Sequence, residues 1–316
     1  MGYHPRIESR TLGSFLTTRT RNSALWFINN RRLEDDILGY AAKFSDRYKV
    51  QLFGLAIEGN HIQGPALFPQ GNRSSFMRDL NSCVARAVPK YVSGHPGGGL
   101  WERRYSAEFL PADSDIEDRF FYTVLQPVQD GLVERISDYP GYNCFHDAVH
   151  GVERRFKVVR WGEYNAAKRN NSKVRVADFT ESVTLKYQRL PGYEDLTRGE
   201  YAKMMYAKLE ERRSQIVNER HAAGRGFMGR AALLRQRPGA LPINTKKSTI
   251  NSHRPRVLSA SNERRAHCKA WYFSVYWRYK EASQQYRNGE LNVEFPEGTY
   301  RPYIPAHVGA QAAAPP

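Results

Sequence analysis

The sequence predicts an α+β protein, an antiparallel sheet with helices packed on it followed by a basic, mainly helical C-terminal extension. Three observations lead there. Residues 51–68, QLFGLAIEGNHIQGPALF, read as two short strands around the turn formers Glu58, Gly59 and Asn60. Stretches with apolar residues every three or four positions alternate with such strands through the first half of the chain. Charge is unevenly placed: residues 1–150 carry 17 Lys+Arg and 17 Asp+Glu, a net of 0, whereas residues 151–316 carry 31 and 15, a net of +16. A chain of 316 residues, 41% hydrophobic and 12% aromatic, has ample material for a core.

A first strand falls around residues 14–20. A helix over residues 34–48 follows, with Leu33, Ile37, Leu38, Ala41 and Phe44 on one stripe and Glu34, Asp35 and Asp36 in its first turn. In the central hairpin Val50, Leu52, Leu55 and Ile57 form an apolar run, and the second strand starts at His61. Side chains alternate along a strand, so His61 and Gln63 share one face while Ile62 points to the core. Gly64 and Pro65 suit a strand near an edge, or a bulge. Residues 72–75 can cap a helix with Phe76, Leu80, Val84 and Val88 inward; Arg73, Arg78 and Arg86 read as its solvated face.

The loop HPGGG at 95–99 leads into Trp101, Arg103, Arg104 and Tyr105. An aromatic beside two arginines can stack on a base and hold its phosphate, and a Trp near a strand start is equally ordinary core. Residues 116–133, IEDRFFYTVLQPVQDGLV, read as a short helix begun after Asp113, Ser114 and Asp115 and stopped by Pro127. Tyr122 and Gln126 lie one turn apart on one face, which can be laid across the His61 and Gln63 face of the sheet.

Past Tyr142 the pattern is less regular. A helix is expected over residues 198–220, with Met204, Met205, Leu209 and Ile216 as its apolar side. Residues 235–256 are basic, broken by Pro238, Pro242 and Pro255, and read as an extended linker. An aromatic-rich helix over residues 261–286 has a Ser or Asn cap, Trp271, Val275 and Tyr279 at four-residue spacing, and Gly289 as its stop. Residues 306–316 read as a disordered tail. Cys83, Cys144 and Cys268 show neither paired metal spacing nor an even disulfide count, which fits a reducing compartment. No apolar stretch approaches the roughly 20 residues of a membrane span, and the opening MGYHPRIESR lacks a signal-peptide core. The expectation is a soluble cytoplasmic protein with no membrane partner, monomer or homodimer. The cationic excess points to a polyanion.

A strand, a turn ending in Asn60, His61-hydrophobic-Gln63, and a later helix carrying Tyr122, Gln126, Pro127 and Val128 together resemble the single-tyrosine HUH transposases, most closely the REP-associated tyrosine transposase branch. HPRIES near the start, SSFMRDLNSCVARA at 74–87, LWERRYSAEFL at 100–110 and QPVQDGLVERISDYPGY at 126–142 occur in that family's order. The resemblance implies a ferredoxin-like HUH endonuclease core over residues 1–150, with residues 151–305 as a DNA-binding extension. It further implies that His61, Gln63 and Gln126 hold Mg²⁺ or Mn²⁺ and that Tyr122 is the nucleophile. Tyr105 competes for that role but has no ligand-type residue four positions on.

By the same resemblance the partner is single-stranded or hairpin DNA, cut and rejoined through a 5′-phosphotyrosine link. Arg19, Arg21, Trp101, Arg103 and Arg104 correspond to DNA-facing positions. Gln63 departs from the family, which usually has its second His there, although His-hydrophobic-Gln also occurs in HUH replication initiators of small circular genomes. A catalytically silent hairpin-DNA-binding protein is therefore the alternative. A ferredoxin-like RNA-binding protein ranks third, because the expected basic residue, glycine, aromatic runs are absent.

Overall fold

The structure, a computed structural model, describes residues 5–242 and 255–303. Its centre is an antiparallel sheet built from β1 (Gly13–Arg19), β2 (Gln51–Leu52), β3 (Ala56–Glu58), β4 (His61–Leu67) and β5 (Ser106–Leu110). The order is β2-β4-β1-β5, with β3 also pairing with β4. Since β2 and β3 together form one interrupted strand along β4, this is the βαββαβ order of a ferredoxin-like sheet, as the sequence led us to expect. The crossover helices α1 (Arg31–Tyr48) and α2 (Arg73–Tyr91) pack on each other and cover one face. Helix α3 (Asp113–Gln129) crosses the other.

The interruption between β2 and β3 decides what each face carries. Gln51 and Leu52 pair with Leu67 and Ala66, but Ala56, Ile57 and Glu58 pair with Gln63, Ile62 and His61, so the register advances by one residue between them. Phe53, Gly54 and Leu55 thus oppose only Gly64 and Pro65, a β-bulge. β4 is an inner strand, so the edge reading of Gly64 and Pro65 is corrected and the bulge reading holds. The Pro65 carbonyl accepts from Phe53 N at 3.1 Å. Its missing N–H would point the same way, into the bulge, which is how an inner strand accommodates a proline. Gly64 is required for contact: a Cβ there would lie 2.1 Å from the Gly54 carbonyl oxygen.

Helix α1 is capped by Asn30, whose Oδ1 accepts from Leu33 N at 3.1 Å. For α2 the first-turn acceptor is remote: Ser74 N donates to Glu8 Oε1 at 2.7 Å, while the Asn72 amide donates to the Tyr48 carbonyl instead. Arg73 is not solvated. It is buried, its guanidinium donating to Ser14 Oγ and the Ile7 carbonyl.

Downstream of Tyr142 the chain forms α4 (Phe145–His150), a hairpin of β6 (Arg154–Val159) and β7 (Thr180–Leu185) enclosing α5 (Trp161–Asn170), α6 (Arg198–Ala222), α7 (Arg230–Arg235) and α8 (Asn262–Arg287). The hairpin, packed on α1, had no counterpart in the sequence reading. Its strands expose Arg155 and Lys157, and Ser182 and Thr184, and bury few apolar residues between them, so only a weak apolar pattern remains. Helices α6 and α8 fall where periodicity put them, and their caps are Thr197 and Ser261. Leu185, Tyr187, Leu190, Tyr201, Met205, Leu209 and Val217 join the same buried cluster as the central sheet. Helix α8 packs Cys268, Tyr272 and Val275 against Phe109 of β5 and Ile7. Residues 255–258 run beside β5, with Phe109 N donating to the Arg256 carbonyl and Leu258 N to the Phe109 carbonyl, and so cover its outer edge. Most of the expected linker and the tail from 306 lie outside the described residues. None of the described helices is long and apolar enough to cross a membrane.

Candidate functional site

The face of the sheet opposite α1 and α2 is assembled by register. Arg19 stands opposite His61 and Thr17 opposite Gln63 on one side of β4; Glu58 and Ala56 stand opposite the same two residues on the other. Ile57 and Ile62 point the other way and are buried in the main core. Across this face lies α3, whose Tyr122, Gln126 and Asp130 are spaced by one turn each.

Two expected residues touch here, on the face that also carries His61. Gln63 Nε2 donates to Gln126 Oε1 at 3.4 Å, and Gln126 Nε2 donates to Asp130 Oδ2 at 2.9 Å. Both glutamines and His61 are buried. The Gln126 amide is thereby oriented with its oxygen towards β4. Pro127 does not stop the helix as its position predicted; α3 runs through it to Gln129 and ends at Asp130. That extra turn is what places Asp130 beside Gln126.

The His61 ring is fixed by its neighbour. Asn60 Nδ2 donates to the Ser23 carbonyl at 3.0 Å, so Asn60 Oδ1 faces the ring and accepts from His61 Nδ1 at 2.8 Å. Nε2 therefore keeps its lone pair. Burial, reinforced by Arg19, pushes the His61 pKa down to about 3, so the imidazole is neutral and competent as a ligand. Asn60 appears in the sequence only as a turn former, and this positioning role depends on the distant Ser23 carbonyl.

Tyr122 is half-buried, with its ring edge-on to Phe15 at 5.7 Å and the Arg119 guanidinium 5.0 Å from its centroid. Burial raises its pKa, as do Asp130 and Glu108, while Arg119 and Arg19 favour the phenolate. Tyr105 is elsewhere. It is buried on the α2 side, its hydroxyl 3.2 Å from Ser74 Oγ and its ring under the Arg6 guanidinium at 3.8 Å.

Two features of the site were missed by sequence reasoning. Glu58, read as a turn former, is 3% exposed and shares the face of His61. Burial, with help from Asp130, raises its pKa to about 8, while a hydrogen bond with Tyr139 acts in the opposite sense. Helix α6 also clamps α3 from behind. Lys208 reaches Glu117 at 2.7 Å, Arg212 reaches Asp118 at 2.9 Å and lies 4.6 Å from the Phe121 ring, and Arg220 donates to the Gln129 carbonyl. Part of the basic half is thus spent holding the tyrosine helix, a pairing that no local pattern announces.

The expected DNA-facing residues are scattered. Arg19 is on the site face, Arg21 is exposed just beyond it, and Arg103 and Arg104 are exposed in the loop before β5. Trp101 is partly buried; its indole N–H donates to the Asn81 carbonyl at 3.0 Å and its ring lies 5.9 Å from Phe27. No three His, Cys, Asp or Glu side chains cluster as a metal site among the described residues, so any cation site here depends on the glutamine amides.

Sequence comparison finds a Haemophilus influenzae protein provisionally named a REP-associated tyrosine transposase, 25% identical over 113 residues. The chain is similar to a REP-associated tyrosine transposase. The match spans 33% of this chain and 64% of that relative's length. No family model matches the chain. Among solved structures, a REP-associated tyrosine transposase bound to a REP hairpin aligns with 46% of this chain and 84% of that one, at 20% identity and a TM-score of 0.38. A Deinococcus radiodurans protein provisionally named a transposase aligns with 30% of this chain and 76% of that one, at 18% identity and a TM-score of 0.27. Overlaps this low carry no weight for function.

Proposed function

We propose that the chain is a divalent-metal-dependent HUH transposase that nicks and rejoins single-stranded DNA beside a hairpin through Tyr122. The observation that supports this reading is the contact of Gln63 with Gln126 at 3.4 Å beneath the helix that bears Tyr122, with His61 two residues from Gln63 on the same face of β4. One buried oxygen at this face, Glu58 Oε1, has no hydrogen-bond partner among the described residues, as expected of a group that takes up a cation. An imidazole nitrogen with amide oxygens suits Mg²⁺ or Mn²⁺. His61 Nε2, Gln63 Oε1 and Gln126 Oε1 would hold the ion, which would require the Gln63 amide to give up its bond to Gln126. Held there, the ion supplies Lewis-acid polarisation of the scissile phosphate.

Tyr122 Oη attacks the phosphorus, forming the Tyr–O–P bond as the P–O3′ bond breaks. The phenolic proton leaves the site or passes to the departing 3′ oxygen, giving a 5′-phosphotyrosine and a free 3′-OH. The reverse attack by a 3′-OH rejoins the strand, so no nucleotide triphosphate is consumed. Arg119, beside the Tyr122 ring, and Arg19, beside His61, are placed to balance phosphate charge. The hairpin as partner is what the resemblance of the His61, Gln63, Tyr122 and Gln126 motifs to the REP-associated tyrosine transposases implies.

The test is covalent-adduct formation on end-labelled hairpin oligonucleotides from a randomised pool, with Mn²⁺ against EDTA. Tyr122→Phe should abolish the adduct and retain hairpin binding, and Tyr105→Phe should retain both. An adduct that survives Tyr122→Phe removes Tyr122 as nucleophile. Hairpin binding without any adduct from the wild type, with either metal, leaves the silent DNA-binding protein.

A further inference from the structure

We propose that Glu58 is a further ligand of the cation, a carboxylate that adds one negative charge to an otherwise neutral set of His61, Gln63 and Gln126. The inference rests on the metal site proposed above and concerns how that site is completed.

The first support is register. If β2 and β3 were one uninterrupted strand continuing the Gln51↔Leu67 and Leu52↔Ala66 pairing, Ile57 would face His61, and Glu58 would point towards the α1 and α2 core. The bulge at Phe53, Gly54 and Leu55 advances the register by one, so Glu58 is paired with His61 and on its face. The close approach of Gly54 and Gly64 accompanies this shift, so the bulge and the carboxylate's position are one feature of the fold.

The second support is the state of the carboxylate. Glu58 is 3% exposed, and its Oε1 is buried without a hydrogen-bond partner among the described residues. The Tyr139 hydroxyl neighbours the carboxyl and donates to the Ile57 carbonyl at 3.3 Å. No Lys or Arg forms a salt bridge with Glu58 among the described residues, and the neighbouring charge is another carboxylate, Asp130. A buried carboxyl with no cation, one free oxygen and a second carboxylate nearby is costly to ionise by itself. A hard divalent ion at the neighbouring imidazole and amides removes that cost and accepts the free oxygen as a ligand. The chemistry explains how a site with Gln63 in place of a nitrogen donor still binds: the carboxylate supplies the charge that the amide lacks.

The test measures Mn²⁺ binding by the full-length chain, with free Mn²⁺ read by electron paramagnetic resonance. Wild type, Glu58→Gln, Glu58→Met, Tyr139→Phe and His61→Ala are compared, with thermal unfolding recorded with and without Mn²⁺. Glu58→Gln and Glu58→Met should each weaken binding by about a hundredfold, since affinity follows ligand charge, and lose the Mn²⁺-induced rise in Tm while folding normally without metal. Tyr139→Phe keeps the carboxylate and should weaken binding by less than about tenfold. Wild-type affinity in Glu58→Gln, with binding abolished in His61→Ala, overturns the role of Glu58 and leaves the metal site standing. Equal losses in Glu58→Gln and Tyr139→Phe overturn it too, since the carboxylate would then act only through the phenol. No Mn²⁺ binding by the wild type removes the metal site itself, and Glu58 with it.

Discussion

Replacing Gly64 with alanine tests the bulge on which the face of β3 depends. The new Cβ would lie 2.1 Å from the Gly54 carbonyl oxygen and 2.9 Å from its carbonyl carbon, both backbone atoms that no rotamer change can move. Relief requires β2 and β3 to back away from β4. That movement strains two hydrogen bonds, Phe53 N to the Pro65 carbonyl and Leu55 N to Cys144 Sγ, both at 3.1 Å. Overpacking costs about 2 kcal/mol and two weakened hydrogen bonds roughly 1 kcal/mol each at most, so Gly64→Ala should lose about 3 kcal/mol. With a slope of about 3 kcal/mol per molar urea for a chain of this size, the unfolding midpoint falls by about 1 M. Gly99→Ala, where nothing lies within 4 Å of the added carbon, is the control and should stay within about 0.5 kcal/mol. A Gly64→Ala protein within about 1 kcal/mol of wild type, with unchanged Mn²⁺ affinity, would refute the claim that this contact locks the register.

Asn60→Ala removes the acceptor that fixes the His61 tautomer, and Mn²⁺ affinity should fall about tenfold or more, read by the same titration. With metal chelated, the raised Glu58 pKa makes stability depend on pH: its contribution is complete below about 4.5 and lost as pH rises towards about 8, so the urea midpoint should fall across that window in wild type and flatten in Glu58→Gln. Gln63→His should raise the rate of adduct formation with Mn²⁺ if Gln63 is the weak member of the ligand set; an unchanged rate would mean that the amide is an adequate ligand. Residues 1–150 alone should fail to unfold cooperatively in circular dichroism melts, because Leu185, Tyr201, Met205 and Leu209 complete their core. A sharp transition for that fragment would show that the first half folds independently.

The sequence by itself determined the order of strands and helices in the first half, the extents of α6 and α8 with a Ser or Asn cap for α8, and the candidates His61, Gln63, Tyr122 and Gln126. These follow from periodicity, capping and one-turn or two-residue spacings, all of which act over a few residues. It also left a choice between Tyr122 and Tyr105, which share a residue type and differ only in the face of the sheet they approach. What lies between elements was not legible. The side of the sheet on which Glu58 falls depends on one extra residue between β2 and β3, and the pattern GLAIEGN reads equally well in either register; only the contact between Gly54 and Gly64 distinguishes them. Asp130 joins the site because α3 continues through Pro127, which propensity alone would have ended, and the packing of α6 on α3 supports that last turn. The second-half cations that hold α3 are indistinguishable in sequence from those free to meet a phosphate. Their partners Glu117 and Asp118 lie some 90 residues away, and pairing over that separation is set by how the chain closes on itself, which only the tertiary structure decides.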